Sequence, residues 1–152
     1  MKEASYIANQ KNKENKMITL KRFCEQHQIS PDKVLEIVIG EGGGILPQKL
    51  GMQGYFAEIT DTSMIFFNDV LKVKKEIPFT SFTRAEFGIG SAQLWLQCIV
   101  DGSPFVFCMR RKHWKSPLGK LLLEKIGEQT EILSMKEYDG YTGKKFFIYL
   151  WK

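Results

Sequence analysis

From Tyr55 to Met109 apolar and polar residues trade places at almost every step, whereas the flanking segments repeat at three and four. The first rhythm belongs to strands with one buried face and the second to amphipathic helices. Tyr55–Thr60 and Met64–Asn68 predict a hairpin around the polar turn Asp61-Thr62-Ser63. A turn at Asn68-Asp69 leads into a strand over Val70–Ile77, with Leu71, Val73, Lys75 and Ile77 on one face. Pro78 closes that ladder because it has no N–H to donate. Phe82–Phe87 predicts a fourth strand with Phe82, Arg84 and Glu86 on one side, loosened into a loop by Gly88 and Gly90. The clearest hairpin joins Gln93–Val100 to Phe105–Arg110 through Asp101-Gly102-Ser103-Pro104. Symmetric closure puts Leu94, Leu96, Cys98, Val100, Phe105, Phe107 and Met109 on one face, which must be core. Gln93, Trp95, Gln97, Ile99, Val106, Cys108 and Arg110 fall on a mixed, partly wet face.

Helical signals bracket these strands. Thr19 opens a first helix whose Leu20, Phe23, Cys24 and His27 share a face. Ser30-Pro31-Asp32 combines a hydroxyl N-cap, proline at the first helical position and an early acid. It predicts a second short helix carrying Val34, Leu35, Ile37, Val38 and Ile39, stopped by Gly40. Gly42-Gly43-Gly44 reads as a flexible linker. After the strands, Ser116-Pro117 repeats the start signal, and Leu118, Leu121, Leu122 and Ile126 form a stripe with Gly127 as its stop. Glu131–Tyr138, a turn at Asp139-Gly140 and Lys144–Trp151 predict a final hairpin. The expected organisation is a polar, disordered tail over 1–16, a helical pair with its linker over 17–44, and the strand-rich domain over 45–152.

The succession of IPFTSFTRAEFG, a glycine-loosened loop, the hairpin LWLQCIVDGSPFVFCM and the helix SPLGKLLLEKI resembles the bacterial pleckstrin-homology-like (PH-like) domains. The likeness covers roughly Gln48 to Gln129. It implies an α+β fold, a bent antiparallel sheet forming a partly open barrel of seven strands, capped at one corner by the C-terminal helix. The helical pair and the final hairpin would be additions. Members of that superfold mostly bind or scaffold, and such an analogy names no ligand. The phosphoinositide-binding members gather basic residues in the first turn. Here that turn is Asp61-Thr62-Ser63, short and acidic, so inositol-lipid recognition by that route is not expected.

The 152 residues fit one domain with an appendage, and 43% hydrophobic content suffices for a core. The net charge of +5 permits an anionic partner without requiring one. Arg110, Arg111, Lys112, Lys115, Lys120 and Lys125 face only Glu124 over 110–125, an excess as large as that of the whole chain. Three cysteines without C-x-x-C spacing argue against a disulfide framework or a zinc site. Cys98 and Cys108 point to opposite faces of one hairpin. The first sixteen residues contain no apolar signal region, and no run has the length of a membrane span. A reducing cytoplasm is the expected location.

Arg110-Arg111-Lys112-His113-Trp114-Lys115-Ser116 is the sharpest local feature. The plainer reading is a solvated strand-to-helix connection. The sharper one is an anion, partner or nucleic-acid patch, with guanidinium groups on phosphates, Trp114 as a stacking face and helix amides near Ser116. The two N-terminal helices suggest a helix-turn-helix, but Asp32, Lys33 and Glu36 on the second would repel phosphate. Gly40-Glu41-Gly42-Gly43-Gly44 lacks the strand before it and the Gly-Lys-Ser/Thr after it that a phosphate loop needs.

His27 and His113 are the only histidines, and extension would carry Cys108 about 16 Å from His113. Glu58, Asp61 and Asp69 read as strand-edge and turn residues. No catalytic constellation, metal site or cofactor site is expected. The pairs Phe66-Phe67 and Phe146-Phe147 exceed what one face can bury, which suggests a protein partner or a homo-oligomer. The chain therefore reads as a non-catalytic binding or scaffold module. The alternative is a nucleic-acid-associated accessory protein using the 19–40 helical pair and the 110–115 basic run.

Overall fold

The segment after Pro31 decides the architecture. In the computed structural model, which describes residues 18–48, 51–89 and 93–133, Ser30-Pro31-Asp32 yields a single 3-10 turn over Pro31–Lys33. The Ser30 hydroxyl donates to the Asp32 carboxylate and caps no main-chain amide. The chain then runs extended from Val34 to Glu41 as strand β1, so the second helix expected there does not form. Val34, Ile37, Val38 and Ile39 are β-branched and stiff at χ1, which suits a pleated surface better than a helix.

β1 is followed by β2 (Gln53–Ile59), β3 (Ser63–Asn68), β4 (Val73–Pro78), β5 (Phe82–Ile89), β6 (Gln93–Val100) and β7 (Ser103–Arg110). Helix α1 (Leu20–His27) precedes them; α2 (Arg111–Lys115), α3 (Pro117–Gln129) and the short β8 (Ile132–Leu133) follow. The result is an α+β fold around one open, eight-stranded mixed sheet in the order β4-β3-β2-β1-β7-β6-β5-β8. β1 lies inside it, antiparallel to both β2 and β7. The expected helix-plus-linker unit at 17–44 thus holds a strand of this same sheet. β8 pairs parallel with β5 through Ala85 and Glu86, so the sheet is not purely antiparallel. The expected 1–16 tail, Gly90, and the Asp139-Gly140 turn and Lys144–Trp151 strand of the final hairpin lie outside the described residues.

The hairpin register matches expectation. Leu94 pairs with Met109, Leu96 with Phe107 and Cys98 with Phe105, and all seven residues expected on that face lie in the main core. β5 differs. A bulge between Phe82 and Arg84 inserts an extra residue and shifts the alternation. Phe82, Ala85 and Phe87 therefore face the core, leaving Arg84 exposed and Glu86 half-buried. β4 begins at Val73 because Asn68 organises a longer turn, accepting from the Leu71 amide at 2.9 Å and donating to the Gly54 carbonyl at 2.8 Å. Lys72 completes that turn at φ 56°.

Two cores flank the sheet. Leu35, Ile37 and Ile39 join the main core, whereas Val34 turns to the opposite face. There Phe23 of α1 stacks on Phe56 at 4.3 Å and meets Phe67 edge-on at 5.2 Å. α1 begins as expected, with Thr19 accepting from the Arg22 amide, and His27 reaches the Asp69 carboxylate at 2.9 Å. Phe66 and Phe67 are thus both buried, one in each core, and the first aromatic pair leaves no exposed surface for a partner.

α3 seals the open corner with Leu122 and Ile126, while Leu118 and Leu121 pack at the margin. Ser116 caps it, accepting from the Gly119 amide at 3.1 Å. Gly127 does not stop it; the helix continues to Gln129, where Thr130 anchors to the Thr83 carbonyl at 3.1 Å. The glycine run after β1 is an ordered turn. Gln48 accepts from the Gly42 amide and donates to the Gly40 and Gly51 carbonyls. A Cβ on Gly42 would lie 2.1 Å from the Leu46 carbonyl oxygen, so the position requires glycine. Among the described residues no helix is long and apolar enough to cross a membrane.

Candidate functional site

β1 and β7 are hydrogen-bonded for only part of their length. Their ladder runs from Glu41↔Val106 to Val38↔Cys108 and goes no further. Beyond that point Glu36 and Ile37 remain paired with Phe56 and Tyr55 of β2. Met109 and Arg110 remain paired with Leu94 and Gln93 of β6. The sheet therefore forks, each strand following its other neighbour.

A groove of about 450 Å³ occupies the fork. Glu36 and Val38 line one wall, Cys108 and Arg110 the other, with Gly54 beside them. Lys112 and His113 close one end and Ile18, just ahead of α1, borders it. Ile37 and Met109 also line it although their side chains belong to the main core, so they contribute main chain to the floor.

The groove is electrically mixed and positive in excess. Arg110, Lys112 and Glu36 are exposed, and His113 is half-buried. Burial, with Lys112 next, holds the His113 pKa below its ordinary value; Arg110 acts in the same sense and Glu36 opposes. The imidazole is therefore neutral at pH 7, an acceptor or donor by tautomer. Burial pushes the Cys108 thiol up to about 11, so it is protonated and a poor nucleophile. Cys24 and Cys98 are also thiols with pKa values raised by burial.

The basic run is split by its own local structure. β7 ends at Arg110 and the chain turns at once into α2. Arg110, Lys112 and His113 reach the groove. Trp114 points the other way and is fully buried. Its ring lies 5.8 Å from Phe107 and 5.2 Å from Phe87, and its indole N–H donates to the Leu94 carbonyl at 3.0 Å. It offers no stacking face to a base. Ser116 is committed to the helical elbow, donating to the His113 carbonyl at 2.6 Å while capping α3. Arg111 and Lys115 do not line the groove.

The same turn corrects the separation expected between Cys108 and His113. Both line one groove, because α2 doubles the chain back where extension was assumed. Glu36, Val38, Gly54 and Ile18 are groove residues that the reading of 31–39 as helix concealed. The density of Val and Ile around Glu36 was the available signal. The helix-turn-helix has no second helix, since that segment is β1. Among the described residues no group of three or more potential metal ligands occurs. Comparison with known protein families and with curated proteins finds no match for this chain.

Proposed function

We propose that this chain is a non-catalytic binding module of PH-like architecture that acts through protein–protein contacts, with the β1–β7 groove as its site. The fold reading is supported by seven antiparallel strands in the order β4-β3-β2-β1-β7-β6-β5 followed, after the short α2, by the helix that seals the corner. The single observation that carries the functional reading is the parting of β1 from β7 around Arg110, Lys112 and His113. A forked sheet with charged walls and a floor of main chain suits recognition. The titratable groups are arranged differently from an active site. The cysteines are protonated, and His27 pairs with Asp69, neither of which lines the groove. Buried thiols outside any disulfide fit a reducing compartment, which we take to be the cytoplasm.

The test is site-specific photocrosslinking in cells, with the reactive side chain at Lys112 or, as a remote control, at exposed Glu128 of α3. Discrete protein adducts from Lys112 and none from Glu128 are expected. An adduct at twice the mass of the chain would identify the partner as a second copy. Equal labelling from both positions, or none from either, would overturn the proposal.

A further inference from the structure

Resting on that reading, we propose that the fork between β1 and β7 docks an extended, acidic peptide segment of a partner protein. Ligands are first sorted by shape. An α-helix with its side chains is about 10–12 Å across, too wide to enter between two strands that are still joined at Val38↔Cys108. An extended chain matches the slot, because adjacent strands lie about 4.8 Å apart and pair through main-chain groups.

The floor supplies such groups. Ile37 and Met109 bury their side chains in the main core and line the groove with backbone. Among the described residues each has a strand partner on one side only, Tyr55 of β2 and Leu94 of β6 respectively. The facing edges are therefore the sides that an added strand pairs with. At about 450 Å³ the groove lies within the range of ordinary ligand sites, about 300–1,000 Å³.

Charge selects the sequence of the peptide. Arg110 and Lys112 at the rim outweigh Glu36 across from them. A carboxylate accepts two parallel bonds from a guanidinium, and such charge-assisted contacts are the strong ones. Glu36 disfavours a uniformly acidic chain and selects one with its acid on the β7 side. Val38, Cys108, Ile18 and the bare Gly54 accept small apolar side chains between the acids. A nucleic acid is disfavoured because Trp114, the aromatic nearest the basic side chains in sequence, is fully buried.

The experiment uses the full-length chain on an array of short capped peptides with randomised alternate positions, followed by fluorescence anisotropy on the strongest binders. Acidic residues at alternate positions, with valine or alanine between, are the expected enrichment. The Arg110→Ala, Lys112→Ala double variant changes only exposed side chains and should weaken binding about tenfold or more, the worth of one charge-assisted contact. N-methylation of alternate peptide amides should abolish binding while leaving the side chains intact. Enrichment of basic or purely apolar peptides, or equal binding by the N-methylated peptides, would overturn the inference, as would displacement by inorganic phosphate alone. Absence of any acidic enrichment together with a Lys112 photoadduct would sink the peptide proposal and leave the module standing. Peptide binding without an adduct would do the reverse.

Discussion

Trp114 separates two accounts of the basic run, and truncating it decides between them. It is the largest fully buried side chain in the described structure and stacks against Phe107 within the main core. Removing a buried tryptophan side chain costs about 3–5 kcal/mol through lost transfer energy and the cavity left behind. A small domain holds only about 5–15 kcal/mol in total. Trp114→Ala should therefore lower the urea midpoint by about 2 M, given a slope of about 1–3 kcal/mol per M. Trp114→Phe keeps a ring against Phe87 and Phe107 but removes the donor to the Leu94 carbonyl. Its cost should be smaller, about 1–3 kcal/mol for an unsatisfied buried acceptor. Unfolding followed by far-UV circular dichroism measures both, and Trp95 and Trp151 remain as fluorescent reporters. If both variants unfold within about 0.5 kcal/mol of wild type, as neutral surface changes do, then Trp114 faces solvent and the stacking-face reading returns.

Phe23→Ala removes the centre of the second core and should cost about 3–5 kcal/mol, with hydrogen exchange rising across 20–27 before the strands; unchanged protection there would refute the docking of α1. Ser116→Ala deletes the cap of α3 and should cost about 1 kcal/mol, recovered by Ser116→Asp as judged by thermal melting. His113 has a depressed pKa, so the folded state binds fewer protons than the unfolded chain. Its contribution is complete above the ordinary imidazole value of about 6.5 and is lost as pH falls below it. His113→Gln should flatten that acid limb, and an unchanged stability profile would show that His113 is solvated. Cys108 behaves in the opposite sense: its thiol is raised from 9.0 to about 11, so stability should fall as pH climbs through that interval, and Cys108→Ala should lessen the decline, to which the buried Cys24 and Cys98 thiols also contribute.

Where one period acted alone, the sequence was legible. Between Leu94 and Met109 all seven apolar side chains expected on one face lie in the main core, because one residue more or less would have carried the whole apolar set into water. The leucine stripe of α3 and its Ser116 cap were legible for the same reason. β1 was misread because it is buried on both faces where it starts. Val34 belongs to one core and Leu35 to the other, so alternation disappears and a crowded apolar run remains. Such a run does not distinguish strand from helix by period. The capping signal at Ser30 then tipped the reading, although its hydroxyl serves Asp32. The β5 bulge was invisible because no residue type marks it. The groove inherited the β1 error: Arg110, Lys112 and His113 were singled out, but nothing placed Glu36 and Val38 opposite them.

The charges of the groove and the packing of the core are two consequences of one turn. Had β7 continued straight past Arg110, Lys112 and Trp114 would have alternated with neighbours along a strand. The switch to α2 places Trp114 in the main core and presents Lys112 and His113 to the fork. Gly119 locks the arrangement, since a Cβ there would sit 2.1 Å from the His113 carbonyl oxygen and 2.7 Å from that of Trp114. α3 can then lie close against α2 and cover the main core. The geometry of the groove is thus set by the tryptophan behind it, so a Trp114 variant that still folds should disturb recognition, whereas removing Lys112 should leave stability intact.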